Sequence, residues 1–366
     1  MVPLRAGVDT GGTFTDAVSP EEGGWKVCKV ATTPRQPARA VLRALRSLLP
    51  GRRGPLELVH GTTHATNALL TGRLGRTVFV TTRGFADVLA IGRQDRPVLY
   101  ALEPRPRRPF QPRSRIVEVR ERVGPDGKAS LALSREEIAR VAAAVERLRP
   151  QAVAVAFLHA YRFPGHEERM GRALKRLGVP VVLSSGIAPE HREFERFSTA
   201  WADAGLSPVT GPALSALDGA LRREWGPGSR LRILRSDGGT CDASAAAVHP
   251  VHLLLSGPAG GLSAARTLAD ARGDRDFLTL DMGGTSTDVS LLGAGELSLL
   301  PLDLGGLSFL CRALPLHSVG TGGGSLARWD AGGALAVGPE SAGAVPGPAC
   351  YGRGGEGVTV TDAHLL

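Results

Sequence analysis

The sequence predicts an α/β protein made of two related lobes. Short apolar runs of strand character alternate with segments of helical spacing, a pattern typical of a mostly parallel or mixed sheet covered by helices. An eight-residue motif, Asp9–Asp16, recurs as Asp281–Asp288 with six of its eight positions identical. Both copies join two strand-like segments and lie too far apart for a solenoid, so they indicate two lobes of similar construction.

Each predicted element follows from local patterning. Leu45 and its apolar neighbours define one face of a helix over Pro37–Leu49, and Ser134 with Glu137 forms a capping-box sequence at the start of another helix. The predicted strands are Leu4–Asp9, Phe14–Val18, Trp25–Val30, Leu56–His60, Thr77–Thr81, Ala152–Phe157, Val179–Leu183, Leu231–Arg235, Phe277–Asp281 and Thr287–Leu292. The predicted helices are Pro37–Leu49, Ala65–Thr71, Ser134–Arg149, Glu167–Leu177, Pro208–Trp225 and Ser256–Ala271. Tyr100–Arg113, with four prolines and four arginines, is predicted to be an exposed extended loop.

The composition is that of an ordinary globular protein. The 366 residues are 42% hydrophobic and 22% charged, which excludes a disordered chain and suits two domains, with three as the alternative. The net charge of +9 comes from scattered residues, and the chain has only three tyrosines and four tryptophans for stacking. We therefore expect no nucleic-acid partner.

Cysteine usage and hydropathy point to the cytoplasm. The four cysteines, Cys28, Cys241, Cys311 and Cys350, form no Cys-x-x-Cys pair, and so sparse a set suits a reducing compartment. Met1–Arg5 has no signal-peptide character, and no apolar run approaches the length of a membrane helix. We expect a cytoplasmic protein with no membrane partner.

The repeated motif has the chemistry of a phosphate-binding loop. Its paired glycines permit backbone conformations in which successive amides point at one anion, and its threonine hydroxyls add donors. The first aspartate of each copy, at a strand end, can hold Mg²⁺ or orient an attacking group. Two such loops facing each other would clamp a triphosphate. The alternative is a tight hairpin, which is common for one copy and much less so for two near-identical ones.

Competing motifs are absent or weak. The sequence contains no Walker A motif, no His-Glu-x-x-His pair and no Gly-x-Ser-x-Gly elbow. Gly322–Ala327 fits the Gly-x-Gly-x-x-Ala pattern but is not clearly set in a βαβ unit, so a dinucleotide site is not favoured.

The paired loops resemble the phosphate 1 and phosphate 2 motifs of the actin, Hsp70 and sugar-kinase ATPase superfamily. Ser256–Ala265 is similar to the connecting helix that precedes phosphate 2 in that superfamily. The resemblance implies a two-lobed ribonuclease-H-like architecture of mixed sheets with helices. Residues 1–255 would form the first lobe, with the phosphate 1 loop and an inserted α/β region. Residues 256–366 would form the connecting helix and the N-terminal part of a second, truncated lobe with the phosphate 2 loop.

A closer resemblance is to the A (ATPase) subunit of the hydantoinase/5-oxoprolinase family. It is carried by continuous strings that run in order through the chain: Gly7–Asp16, His60–Leu70, Thr81–Asp87, Ile91–Pro97, Arg192–Arg196, Val319–Ser325, Gly338–Gly343 and Pro346–Gly352. Three positions depart from the family pattern. Asp203 stands where Asn is usual, His64 where an apolar residue is more frequent, and Pro315 where Asp is common.

This resemblance implies ATP-dependent opening of a cyclic amide, of the hydantoin or 5-oxoproline type, through phosphorylation of the substrate carbonyl oxygen. Such phosphoryl transfer depends on positioning and on charge neutralisation. Two alternatives stay open: the ATPase subunit of an ATP-dependent ketone carboxylase, and a truncated, non-catalytic nucleotide-binding protein. The expected cofactors are ATP and Mg²⁺. The expected small-molecule partner is the cyclic amide. The expected protein partner is either a B-type hydantoinase subunit or the missing C-terminal portion, and we expect the protein to be an oligomer. On this basis we expect the chain alone to bind ATP weakly.

The resemblance and the motif chemistry together select candidate site residues. The expected catalytic and metal-binding residues are Asp9 and Asp281. The expected cofactor-binding residues are Thr10, Gly11, Gly12, Thr13, Gly283, Gly284, Thr285 and Asp288, with Asp16 supporting its loop. The candidate substrate residues are His60, Thr62, Thr63, Asn67 and Arg93. Helix capping is the alternative for His64, and a solvated charge run is the alternative for Arg93. The spacing of Arg192–Arg196 predicts a salt-bridged helix face.

Overall fold

A computed structural model describes residues 3–33, 36–95, 100, 102, 110–284, 286–293, 299–343 and 345–366. In chain order its strands are β1 (Leu4–Thr10), β2 (Phe14–Glu21), β3 (Gly24–Ala31), β4 (Leu56–Thr62), β5 (Thr77–Thr82), β6 (Ile116–Val119), β7 (Arg122–Val123), β8 (Ala129–Leu131), β9 (Ala152–Ala156), β10 (Val181–Leu183), β11 (Arg230–Leu234), β12 (Thr240–Asp242), β13 (Phe277–Met282), β14 (Thr287–Leu292), β15 (Leu300–Leu304), β16 (Leu307–Ala313), β17 (His317–Val319), β18 (Ser325–Trp329) and β19 (Leu335–Ser341).

Its helices are α1 (Pro37–Leu48), α2 (His64–Leu70), α3 (Val88–Ile91), α4 (Arg135–Arg147), α5 (Gly165–Leu174), α6 (Ser184–Ile187), α7 (Glu193–Trp225), α8 (Ala243–Val248), α9 (Ser256–Arg272) and α10 (Val360–Leu365). Single turns of 3₁₀-helix lie at Arg113–Arg115, Lys175–Leu177, Pro250–Leu253 and Ala349–Tyr351. Most of the predicted loop Tyr100–Arg113 falls outside the described residues. Among the described residues, no helix combines the length and the apolar character needed to cross a membrane.

The main sheet has the strand order β12-β11-β4-β1-β2-β3. Strands β1, β2 and β3 form an antiparallel meander, whereas β4 runs parallel to β1 and β11 runs parallel to β4. This mixed order confirms the ribonuclease-H-like architecture. A second meander, β13-β14-β17, is likewise antiparallel throughout.

Between β4 and β11 the chain forms a separate four-stranded parallel sheet, with the order β10-β9-β5-β6. Its central strand Ala152–Ala156 is buried along its whole length. Parallel strands covered by helices on both faces have this continuous apolar character, which explains why the run was predictable as a buried strand. The apolar core of this sheet involves Val80, Val141 and Met170.

Helix α7 differs from the prediction. The sequence predicts a helix over Pro208–Trp225. The structure instead continues the helix over Glu193–Trp225 with Pro208 and Pro212 inside it. Burial of most of the N-terminal half offsets the cost of the prolines, and near Pro208 the Gly205 carbonyl accepts a hydrogen bond from Gly75 N at 2.9 Å.

The Arg192–Arg196 segment forms the predicted ion pair, but inside the protein. Arg196 Nη2 lies 3.6 Å from Glu193 Oε1 on the same helix, and Arg196 is fully buried. Arg196 Nη1 donates to the Phe157 carbonyl at 3.0 Å and lies 3.8 Å from the carboxylate of Glu167, which is also fully buried. Burial lowers the pKa of Arg196 and raises that of Glu167. Sequence spacing alone did not show that this face turns inward.

Ser134 caps α4 as predicted, but only half of the capping box forms. The Ser134 hydroxyl accepts from Glu137 N at 3.1 Å. The Glu137 carboxylate is used elsewhere, since it accepts from Arg120 N and from the Arg140 guanidinium.

Replacing Glu167 with Ala is expected to destabilise the protein by about 3–5 kcal/mol, because it removes the fully buried one of the two carboxylates beside Arg196 and leaves only the partly exposed Glu193. It also removes the acceptor used by Phe157 N and by the Ser184 and Ser185 hydroxyls. Denaturant unfolding of the variant measures the loss. The neighbouring exposed Glu168, which lies 4.0 Å from Arg172, provides the matched control, and Glu168→Ala should change stability by less than about 1 kcal/mol. Equal effects at the two positions would contradict the assigned role of Glu167.

Candidate functional site at the paired glycine loops

The two copies of the repeated motif adopt the same backbone arrangement. In the first, Asp9 on β1 pairs in register with Asp16 on β2, and in the second, Asp281 on β13 pairs with Asp288 on β14. The turns close in the same way, with Gly11 N donating to Phe14 O at 3.0 Å and Gly283 N donating to Ser286 O at 2.8 Å. Each loop therefore presents its first aspartate at the end of a strand.

The structure brings the two loops together. A Cβ placed on Gly284 would lie only 3.0 Å from Thr13 Oγ1, so the tips of the loops are in contact distance. The charge of Asp281 also acts on Asp9 across the cleft. Thr285 lies outside the described residues.

The last part of the chain supports both loops. Gly323 N and Gly324 N donate to the carbonyls of Gly283 and Gly284 at 2.9 and 2.7 Å. The ring of Tyr351 packs edge-on against Phe14 of the first loop, with the ring centres 6.1 Å apart. The strings that contain these residues were predicted to matter only by resemblance, and their supporting contacts were not foreseen.

Asp9 is the most closely surrounded carboxylate of the site. A Cβ at Gly61 on β4 would lie 2.8 Å from Asp9 Oδ1, and one at Gly257 on α9 would lie 3.1 Å from it. Side chains at either position would displace the carboxylate. These two glycines were not predicted as site residues, although both lie in strings that carry the resemblances.

The electrostatics of the cleft favour a cation. Asp9 reaches solvent in the cleft, but the surrounding protein and the carboxylates of Asp16 and Asp281 raise its pKa from an ordinary value of 3.8 to about 6. Burial also raises the pKa of Asp288, and Asp281 adds to the effect. Negative charge is thus concentrated beyond what the local protein donors neutralise.

The second aspartate of each motif has its own partner. Lys29 Nζ lies 2.7 Å from Asp16 Oδ1, and the Ser318 hydroxyl donates to Asp288. Both partners stand directly opposite in the sheet register. Asp16 and Asp288 are therefore engaged in holding their meanders, which leaves Asp9 and Asp281 as the pair directed to the cleft.

His60 lies beneath the first loop rather than in the cleft. It is buried, its Nε2 meets the Thr10 hydroxyl at 3.1 Å, and its Nδ1 has no hydrogen-bond partner within the described residues. Burial and the neighbouring His64 lower its pKa to about 4, so His60 is neutral at physiological pH. The Thr10 hydroxyl is consequently directed inward, away from the role of phosphate donor that was expected of it.

Of the other candidate substrate residues, Thr62, Thr63 and Asn67 lie close to His60 or Thr10, whereas Arg93 lies elsewhere. Thr62 lines a small cavity of about 30 Å³ with His60 and His64, and room of this size suits only a few water molecules. Thr63 donates to the Thr10 carbonyl at 3.1 Å, and Asn67 donates to the Thr63 hydroxyl at 3.2 Å.

Arg93 does not join this group. Its guanidinium instead pairs with the buried carboxylate of Glu195 on α7.

Within the part of the chain that the structure describes, no three histidine, cysteine, aspartate or glutamate side chains are grouped closely enough to form a metal cage.

Replacing Asp9 with Asn is expected to stabilise the protein at pH 7–8. Because the folded state raises the pKa of Asp9 to about 6, the fold binds that proton more tightly than the unfolded chain does. The stability contributed by Asp9 therefore falls as pH rises from about 4 through about 6, and the Asn variant escapes this loss. Thermal unfolding across pH 4–8 should show a higher melting temperature for the variant at pH 8, with the difference shrinking towards pH 4. A difference between Asp9→Asn and the unmodified protein that stays constant from pH 4 to pH 8 would contradict the raised pKa.

Comparison with known proteins agrees with this geometry. The hydantoinase/oxoprolinase N-terminal region matches residues 5–178, and the hydantoinase/oxoprolinase family model matches residues 196–366. The chain is 34% identical to the caprolactamase subunit alpha of Pseudomonas jessenii, over 99% of this chain and 54% of that protein. It is 32% identical to the 5-oxoprolinase of Saccharomyces cerevisiae, over 99% of this chain and 31% of that protein.

The fold is also found among solved structures. The nucleotide-free structure of acetone carboxylase, from a study of ATP-dependent acetone carboxylation, superimposes with a TM-score of 0.84 at 26% identity, covering 99% of this chain and 54% of that chain. The chain thus spans from about a third to just over half the length of the proteins it matches. Across that span the two family models cover nearly every described element, including both glycine loops, and the chain belongs to the hydantoinase/oxoprolinase family.

Proposed function

We propose that the chain binds Mg·ATP between its two glycine loops and acts as the ATP-using part of an enzyme that opens a cyclic amide. The observation that carries the proposal is the contact between the two loops, with Asp9 and Asp281 at matching strand ends. The relatives named as 5-oxoprolinase and caprolactamase subunit alpha support the reaction class.

The loops would hold the phosphates through their backbone. The amides of Gly11 and Gly283 close the turns, so the following amides, of Gly12, Thr13 and Gly284, are the ones offered to an anion. Open space around Gly12 leaves room for a phosphate oxygen, since a Cβ there would meet no atom within 4 Å. Close contact between the loops would exclude water from the region between them.

Asp9 and Asp281 would hold Mg²⁺ and orient the attacking group. The raised pKa of Asp9 is the observation that tests the fit. Burial raises it most and the carboxylates of Asp16 and Asp281 raise it further, and a divalent cation beside Asp9 would offset both effects. Magnesium at phosphate-transfer sites uses one or two carboxylates and keeps several waters. When bound, Mg·ATP supplies the phosphoryl group that makes an amide carbonyl carbon electrophilic.

His60 would act through Thr10. A neutral imidazole against the Thr10 hydroxyl fixes the side chain beside Asp9, and Thr63 fixes the Thr10 carbonyl. We propose that Thr62 and Asn67 lie where the substrate approaches this loop. Arg93 would position α7 through its ion pair with Glu195. We also propose that the first lobe ends at residue 255 and that the connecting helix and second lobe begin at residue 256, where α9 starts.

ATP-dependent ketone carboxylation is the second candidate function. It is favoured by the match to acetone carboxylase, whose structure superimposes over 99% of this chain. Labelled bicarbonate distinguishes the two reactions, because carboxylation places the label in the organic product and ring opening does not.

We also propose that a further polypeptide covers β13, in a complex located in the cytoplasm. Leu278 and Leu280 on this strand are 61% and 63% exposed, and β13 is an edge strand of its sheet. Exposed apolar edges of this kind invite pairing with another strand. Two relatives are named as subunits, the caprolactamase subunit alpha and the acetone carboxylase gamma subunit. A B-type hydantoinase subunit is the partner that suits the proposed reaction.

Gly12→Ala is expected to weaken Mg·ATP binding at least about tenfold, or 1.4 kcal/mol, while the protein keeps its fold. The added methyl group meets open space in the protein but occupies the position assigned to a phosphate oxygen. Calorimetric titration with Mg·ATP measures the affinity. Gly24→Ala is the matched control, because Gly24 also has open space around it but lies at the distant end of the β2–β3 hairpin. Unchanged ATP affinity of Gly12→Ala would contradict the phosphate assignment.

Asp281→Ala is expected to abolish ATP turnover and to leave the fold intact, because Asp281 is exposed and contributes little packing. Phosphate release should be measured with and without hydantoin, 5-oxoproline or caprolactam, and the ring-opened product identified by mass spectrometry. Asp276→Ala, at the other end of the same hairpin, is the control. Full turnover by Asp281→Ala, or its failure to fold, would refute the assigned role.

A further inference from the structure

A second, larger cavity lies apart from the glycine loops, on the four-stranded sheet. It has a volume of about 340 Å³, within the range of small-ligand pockets. Its walls come from α5, β10 and α6 and from His249, which follows α8. Hence it lies where the inserted sheet meets the segment that leads back towards α9.

The pocket combines cationic groups with an apolar floor. Arg172, Lys175 and His249 line it, with Glu168 as its only carboxylate among the described lining residues. Leu183 and Ile187 supply apolar surface. Since Glu168 and Arg172 are 4.0 Å apart and both well exposed, their mutual attraction is weak and an excess of positive charge remains.

A fully buried carboxylate holds His249 in place. Asp203 Oδ2 accepts from His249 Nδ1 at 2.9 Å, and Asp203 Oδ1 accepts from Val251 N at 3.0 Å. This contact fixes the imidazole and leaves Nε2 as the nitrogen free to meet a ligand. The Asp203 side chain also raises the pKa of His249, which favours the cationic imidazolium. Asp203, which stands where the family usually has Asn, therefore accepts the hydrogen bond that orients His249.

The opposite wall is equally fixed. Glu167 accepts hydrogen bonds from the Ser184 hydroxyl at 2.6 Å and from Ser185 N at 2.8 Å, so α6 is anchored at its first turn. Gly186 in α6 lines the pocket, and a Cβ built on it would meet nothing within 4 Å. The cavity is therefore bounded by two walls that buried charges hold, with open space between them.

We propose that this pocket binds a small aliphatic carboxylate, with the carboxylate against Lys175, Arg172 and His249 and the hydrocarbon chain on Leu183 and Ile187. A pocket lined by three cationic groups and by apolar side chains matches a ligand with a single anionic head and a short tail. A phosphate ion would use the cations but leave the floor exposed, and an alkylamine would meet repulsion. The proposal does not depend on the reaction at the glycine loops.

Calorimetric titration of the full chain with hexanoate tests the proposal. Hexanoate should bind, inorganic phosphate and acetate should bind at least about tenfold more weakly, and hexylamine should not bind. Phosphate binding as tight as hexanoate would overturn the carboxylate assignment, and absence of hexanoate binding would overturn the site.

Two variants locate the binding. Gly186→Leu places a side chain in the cavity through a Cβ position that has no atom within 4 Å, and Lys175→Met removes one cation, so each should lower hexanoate affinity at least about tenfold. Arg176→Met changes an exposed arginine beside Lys175 that does not line the cavity, and its affinity should equal that of the unmodified protein. Unfolding temperatures verify that all three variants fold. Equal hexanoate affinity in Gly186→Leu and the unmodified chain would place binding elsewhere and refute the proposal.

Discussion

Close packing around a single carboxylate oxygen determines how the rest of the site is arranged. Asp9 Oδ1 has the backbone of β4 on one side and that of α9 on the other, at distances that only glycine permits. The parallel pairing of β1 with β4 places Gly61 directly opposite Asp9 in the register. The six-stranded sheet and the first turn of α9 must therefore form together before the cleft exists.

The same packing makes the site costly to the stability of the fold, because it holds carboxylates close together around the cleft. Burial of Asp9 disfavours its charged form most, and repulsion from the carboxylates of Asp16 and Asp281 adds to this, so its pKa is raised to about 6. The fold limits the cost by giving Asp16 a lysine and Asp288 a serine hydroxyl as cross-strand partners. The two loops are thus alike in backbone but unlike in charge, since the first meander carries a cation that the second replaces with a neutral donor.

The parts of the fold that depend on local sequence pattern, such as the two glycine-loop hairpins, were predictable from the sequence. The repeated motif predicted the β1–β2 and β13–β14 hairpins and their matching aspartates, because a Gly-Gly turn between two strands fixes the register locally. The third strand of the second meander, β17, was not predicted. The extent of α7 and the burial of Arg196 were not foreseen, because they depend on distant partners such as Gly75, Glu167 and the Phe157 carbonyl. The same holds for Gly61 and Gly257, whose importance lies in the space that they leave for another residue.

Helix α7 links the two ends of the chain in one core and thereby limits how the cleft can move. The hairpin β15–β16 follows the second glycine loop in sequence, yet Phe309 and Leu302 pack in the core cluster that contains Phe197 and Trp201 of α7. The Thr199 hydroxyl accepts from Leu310 N at 2.9 Å and adds a polar link. A rotation that opened the cleft by moving β13 and β14 would break these contacts if it carried the hairpin along. An opening that kept these contacts would leave the hairpin on α7.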